Sequence, residues 1–169
     1  YNRGPVIEAK GEVVLGSGAT IFDSAVVGRA SGVVTVSGAN ASFVLDGGVI
    51  ENCSIHEVYC GVVRASDGAA VAVRSGSIRN NRVANANGDT NGNYLSSAGV
   101  ELVDGASMEM TGGSIADNSG YQGSAVVAYG ENAVEGERVS FLMSGGAIEN
   151  NRSNKLGTRT PSGGVHVEG

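Results

Sequence analysis

Between residues 43 and 151 the alternation of apolar and polar positions repeats one pattern four times. "FVLDGGVIENC" (43–53), "VAVRSGSIRNN" (71–81), "MEMTGGSIADN" (108–118) and "FLMSGGAIENN" (141–151) carry apolar residues at positions 1, 3 and 8 and glycine at position 6. Position 10 is an amide or aspartate in every copy, and position 11 is asparagine in the last three. The isoleucines at position 8, Ile50, Ile78, Ile115 and Ile148, are 28, 37 and 33 residues apart. A constant motif on an irregular period predicts a repeating coil joined by connectors of variable length.

A second apolar element precedes each copy: "GVVTV" at 32, "GVVRA" at 61, "GVELV" at 99 and "AVVAY" at 125, while "GVHVE" at 164 opens a fifth. Turns reading Gly-Ala separate the two elements at Gly38-Ala39, Gly68-Ala69 and Gly105-Ala106. Each coil is expected to run strand, turn, strand, glycine kink, short strand, loop. The segment "GEVVLGSGATIFDSAVVGRA" is a shorter, degenerate version with its own Gly18-Ala19. The chain therefore divides into a degenerate N-terminal coil over 1–31 and regular coils over 32–169, one module in all. Its opening at Tyr1 and its stop inside "GGVHVEG" suggest a piece of a longer protein.

Strands this short cannot bury a core alone. Stacked on their counterparts one coil later, at about 4.8 Å, they line an interior with ladders of Val, Ile, Met and Phe. Glycine at position 6 supplies a bend that a Cβ would hinder. Asparagines turned inward are expected to bond the turn backbone and the asparagine of the next coil, with Cys53 in that place in the first full coil.

From Gly32 to Gly169 the four copies resemble the right-handed parallel β-helix repeats of large bacterial surface proteins, which read like F-x-M-x-G-G-x-I-x-x-N. They are more loosely similar to chlamydial polymorphic outer membrane proteins, from which they depart by having isoleucine where FxxN would place phenylalanine. The resemblance implies an all-β fold, a right-handed parallel β-helix of about five coils with loops of variable length.

Composition agrees with stacked strands. The 28 glycines follow no third-residue period and 41% of residues are apolar, which excludes collagen and disorder. A net charge of −6 leaves no basic face for nucleic acid. No apolar run approaches the roughly 18 residues of a membrane span. Cys53 and Cys60 are too few for a zinc site and read as separate buried thiols, with a short-loop disulfide as the alternative.

In a solenoid, an enzyme needs clustered outward carboxylates on neighbouring coils. Position 4 reads Asp46, Arg74, Thr111, Ser144 and position 9 reads Glu51, Arg79, Ala116, Glu149, so neither column is acidic. Asp46 beside Arg74 and Glu51 beside Arg79 are expected as opposite-charge pairs on adjacent rungs. His56 and His166 are too far apart in the repeat to work together, and no nucleophile, phosphate or metalloprotease motif occurs. The sequon at Asn40 is within chance.

The loops after the asparagine pairs, 54–59, 82–97, 119–123 and 152–162, should all project from one edge, where binding residues belong on a rigid scaffold. The longest, "RVANANGDTNGNYLSS", offers Asn85, Asn87, Asp89, Asn91, Asn93 and Tyr94 for a glycan or host-surface protein. Its "NGDTNG" imitates half of a calcium loop but lacks the charge and the final glutamate, so no cofactor is expected and calcium is the weaker alternative. The acidic insertion 129–138 reads as a solvated turn. The expectation is a non-catalytic extracellular module, adhesin-like or a stalk for flanking domains. The rival is a fragment of a polysaccharide lyase or glycoside hydrolase with this fold.

Overall fold

The computed structural model describes residues 4–27, 30–56, 59–83, 96–120, 125–130, 138–153 and 163–168. Among these the chain is all β and winds through about four turns of a parallel solenoid with three sheets. The first sheet stacks Ile7–Ala9, Val34–Ser37, Gly61–Ser66, Ser97–Val103, Val126–Tyr129 and Val165–Glu168. The second stacks Glu12–Gly16 (followed by Thr20–Phe22), Ser42–Glu51, Ala70–Arg79, Ser107–Ala116 and Ser140–Glu149. The third consists of two-residue strands, Ala25–Val26, Ser54–Ile55, Arg82–Val83, Ser119–Gly120 and Arg152–Ser153.

The second sheet corrects the expected kink. Each motif is one continuous ten-residue strand that crosses its glycines and keeps pairing on both sides. Parity explains why. Positions 1 and 3 point inward by simple alternation, but position 8 is even and would point out unless one residue is absorbed between them. Each coil absorbs it in a bulge at Gly47, Gly76, Gly113 or Gly146, all at positive φ. The bulge falls at motif position 6 in three copies and one residue earlier, at Gly47, in the first, so each absorbs one residue before position 8; register recovers by Val49 opposite Ser77, and Ile21, Ile50, Ile78, Ile115 and Ile148 form one interior column. Phe43, Leu45, Val73, Met110 and the three central isoleucines of that column are fully buried. Each such side chain contributes about 1.5–3 kcal/mol by leaving water.

The third sheet lies in what the motif reading assigned to loops, since its strands begin directly after position 11. The link between the second and third sheets is always two residues long: 52–53, 80–81, 117–118 and 150–151. Its first residue, Asn52, Asn80, Asp117 or Asn150, sits in the left-handed region at φ 54–56°, as does Asp23 in the first coil. Asparagine and aspartate accept that conformation with the least strain after glycine.

Its second residue points inward. The Asn81 side chain donates to Ile50 O at 3.1 Å and to Asn118 Oδ1 at 3.0 Å, and its backbone N–H donates to the same Asn118 oxygen at 3.0 Å. Asn118 repeats this arrangement toward Ile78 O and Asn151 Oδ1, each at 3.0 Å. Asn151 donates to Ile115 O at 2.8 Å. At the other end the Cys53 N–H donates to Asn81 Oδ1 at 2.9 Å while the thiol donates to Glu51 O at 3.3 Å. Cys53 therefore closes the ladder as a hydrogen-bonded thiol. Both cysteines are free and buried. The corner between the first and second sheets is made by Asp67-Gly68 and Asp104-Gly105, all at positive φ, and Ala69 and Ala106 donate back across them at 3.1 Å.

Replacing Asn118 with leucine strands two Asn81 donors in the interior and should lower unfolding free energy by at least about 2 kcal/mol. Chemical denaturation of the variant checks this, and an unchanged midpoint would show the ladder to be incidental. Gly18 and Gly76 share a positive φ, but a Cβ at Gly18 meets nothing within 4 Å while one at Gly76 would lie 2.2 Å from Gly48 O. Gly18→Ala should cost about 1–2 kcal/mol. Gly76→Ala should prevent a native thermal transition altogether.

Candidate functional site

Coil geometry sorts the chain's variability by corner. Links from the second to the third sheet are constant, whereas links from the third back to the first are residues 27–33, 56–60, 84–96, 121–125 and 154–164. These connectors all leave the same sheet and enter the same sheet, so their described ends lie along one edge of the solenoid, as the motif reading expected. Asn85, Asn87, Asp89, Asn91, Asn93 and Tyr94, and the calcium-like "NGDTNG", lie outside the described residues. The connector holding them departs from Val83, buried in the third sheet, and returns at Ser96, also buried.

At the corner between the second and third sheets a groove of about 350 Å³ is lined by Asp117, Asn118, Ser119, Asn150 and Arg152. Its walls follow from the turn. Asp117 and Asn150 are the left-handed residues of successive coils, so their side chains point outward, and Ser119 and Arg152 are the facing first residues of third-sheet strands. Asn118 forms the floor, fixed by the ladder. A carboxylate, an amide, a hydroxyl and a guanidinium around a space at the small end of ligand pockets suit a hydroxyl-rich ligand. This groove did not emerge from the motif reading, which treated position 10 only as a turn former.

The carboxylates of Glu51, Asp46 and Asp67 are held by neighbouring side chains. Arg79 Nε lies 2.8 Å from Glu51 Oε2, the pair expected from the aligned columns, and partial exposure limits it to about 1 kcal/mol or less. The expected partnership of Asp46 with Arg74 is replaced. The bulge shifts the register so that Asp46 faces Ser75, whose hydroxyl donates to Asp46 Oδ1 at 2.9 Å. Asp67 accepts hydrogen bonds from the Ser37 and Ser66 hydroxyls, which hold its carboxyl below the usual range. His56 shares a 3.1 Å hydrogen bond with Ser54. Burial pushes the Cys60 thiol up to about 12 and raises Cys53 as well, so neither is a thiolate at neutral pH. No cluster of three or more His, Cys, Asp or Glu that could hold a metal occurs among the described residues. Among them also, no helix is long and apolar enough to cross a membrane.

One charged network went unread in the sequence. On the outer face of the first sheet Arg64 Nε lies 3.0 Å from Glu101 Oε2, a contact of charges rather than an aligned hydrogen bond, and Tyr129 Oη donates to Glu101 Oε1 at 2.9 Å. Glu101 is fully buried and Arg64 nearly so. The residues occupy three consecutive strands, with Arg64 opposite Glu101 only because a register shift between Ser97 and Val100 offsets the glycines that begin "GVVRA" and "GVELV". A buried carboxylate held by a cation and a phenol pins strand register.

Comparison with known protein families, curated proteins and solved structures finds no match to the chain.

Glu101→Gln should lower unfolding free energy by about 3 kcal/mol, since it leaves Arg64 buried without its counter-charge. The double variant Arg64→Met with Glu101→Leu should regain most of that loss, as measured by urea denaturation.

Proposed function

We propose that this chain is a non-catalytic β-solenoid module of a bacterial surface protein that displays variable connectors for contact with a glycan or a host-surface protein. The observation that carries the reading is that links from the third sheet back to the first run from five to thirteen residues, whereas those from the second to the third are always two and those from the first to the second are two to four apart from residues 130–139. Coil links of constant length hold the scaffold, while connectors such as 84–96 and 154–164 change along that edge. Variation gathered on one side of a stiff stack is what a display surface needs. The polar groove of Asp117, Ser119, Asn150 and Arg152, at the corner between the second and third sheets, supports contact with hydroxyl-rich ligands. Extracellular placement, an adhesin-like role and the choice of glycan belong to this proposal. The pairing of Glu51 with Arg79 and the hydrogen bonds to Asp46 and Asp67 favour it over the lyase or hydrolase alternative.

Deleting residues 85–94 tests it. Loop closure depends weakly on length, so the thermal transition should stay within a few degrees, roughly the effect of a 0.6 kcal/mol change. On a glycan array or host-cell surface the intact module should bind and the deletion should not. Neither protein should release reducing ends or unsaturated sugars from acidic polysaccharides. Product formation by the intact chain would establish the enzymatic alternative.

A further inference from the structure

The third-sheet side of the asparagine corner carries a regular pattern of charge. Its strands are in register, so Ser54, Arg82, Ser119 and Arg152 form one column. The residues that follow in two of these strands, Ile55 and Val83, are buried in the interior, which turns the column outward, and Arg82 and Arg152 are exposed. Beside it runs the column of left-handed residues Asn52, Asn80, Asp117 and Asn150, all exposed. From coil to coil the corner therefore presents Asn52 with Ser54, Asn80 with Arg82, Asp117 with Ser119, and Asn150 with Arg152. A cation recurs at every second coil, and the coil between the two cations carries a carboxylate. Each rung advances about 4.8 Å, so the Arg82 and Arg152 backbones stand about 10 Å apart along the stack.

We propose that this corner binds a linear glycan lying along the solenoid axis, in which uronate and neutral sugars alternate. The proposal rests on the glycan reading of the module given above and names the class of glycan. An extended pyranose chain advances by close to one rung per sugar, so carboxylates on every second sugar meet Arg82 and Arg152. The guanidinium fork of each arginine matches the two oxygens of a carboxylate. The neutral sugar between them lies at the groove. There Asp117 accepts from its hydroxyls, while the Ser119 hydroxyl and the Asn150 amide donate or accept.

Charge selects the alternating class. A polymer with a carboxylate on every sugar sets one of them against Asp117, and a neutral polymer gives the arginines no anion. Of the other carboxylates near the column, Glu51 is paired with Arg79, and Glu149 ends a second-sheet strand, on the far side of Asn150 from Arg152. The third sheet is only two residues wide, so the connector 84–96 leaves directly beyond Val83 and flanks the same strip. Corner and variable edge thus serve one ligand.

Fluorescence anisotropy with end-labelled oligosaccharides of equal length tests the proposal on the 169-residue chain. Hyaluronan oligosaccharides, unsulfated and alternating between uronate and N-acetylhexosamine, should bind with a Kd below about 1 mM, whereas oligogalacturonates and cello-oligosaccharides should not. Arg82→Gln and Arg152→Gln, at exposed sites, should each weaken hyaluronan binding by about tenfold or more with the melting temperature unchanged. Asp117→Asn keeps the turn, since asparagine already holds it at Asn52, Asn80 and Asn150, and should admit oligogalacturonate. The proposal is overturned if hyaluronan fails to bind wild type, if oligogalacturonate binds wild type equally well, or if Asp117→Asn leaves oligogalacturonate unbound. Binding that survives in both arginine variants but is lost on deletion of residues 85–94 overturns it alone and leaves the function proposed above standing. An intact chain that binds no glycan and no host surface overturns both.

Discussion

A two-residue corner with an inward asparagine governs the rest of this solenoid. Each coil must turn from its second to its third sheet inside a packed interior, where backbone groups that lose their strand partners cannot reach water. The left-handed residue, Asn52, Asn80, Asp117 or Asn150, makes the turn, and the following asparagine side chain replaces the missing partners above and below. A side chain bonded to both neighbouring coils cannot slip by one residue without orphaning several donors. That constraint holds register over the isoleucine column and obliges each strand to take up its odd residue in a bulge at glycine.

How much of this can be read without coordinates depends on how many residues carry each signal. Stacking, the isoleucine column and the inward asparagines are repeated four or three times in the chain, and the structure contains all of them. The bulge was also encoded, since positions 1, 3 and 8 cannot share a face by alternation alone, but the glycines read as a bend until that parity is counted. The third sheet has only two residues per strand, and its inward position passes from Ile55 and Val83 to Gly120 and Ser153, too little pattern to announce a strand. Arg64 and Glu101 escaped because a register irregularity offsets their strands by one residue from any alignment on glycine. The same cause moved Asp46 from Arg74 to Ser75. Of the candidate site, the common edge was legible from the repeat; the groove was not, because position 10 (Asp117, Asn150) reads as a turn former and Ser119 and Arg152 lie just past the motif.

Buried charge and variable connectors separate under these constraints. Charges and thiols that could suggest chemistry, Glu101, Arg64, Cys53 and Cys60, are buried where they hold register or fill space. Variable length is admitted where the third sheet hands back to the first and once, at residues 130–139, where the first passes to the second, which costs the asparagine corner nothing.

The asparagine corner can be tested most directly by hydrogen exchange of side-chain amides in the native protein. If Asn81 and Asn118 are locked between coils, their Nδ2 protons should exchange only with global opening, as slowly as the backbone amides of Ser107–Ala116. The side-chain amides of the outward residues Asn52, Asn80 and Asn150 should exchange at rates close to those of free asparagine. Fast exchange at Asn81 and Asn118 in an otherwise folded protein would contradict the account, because register would then be held by apolar stacking alone.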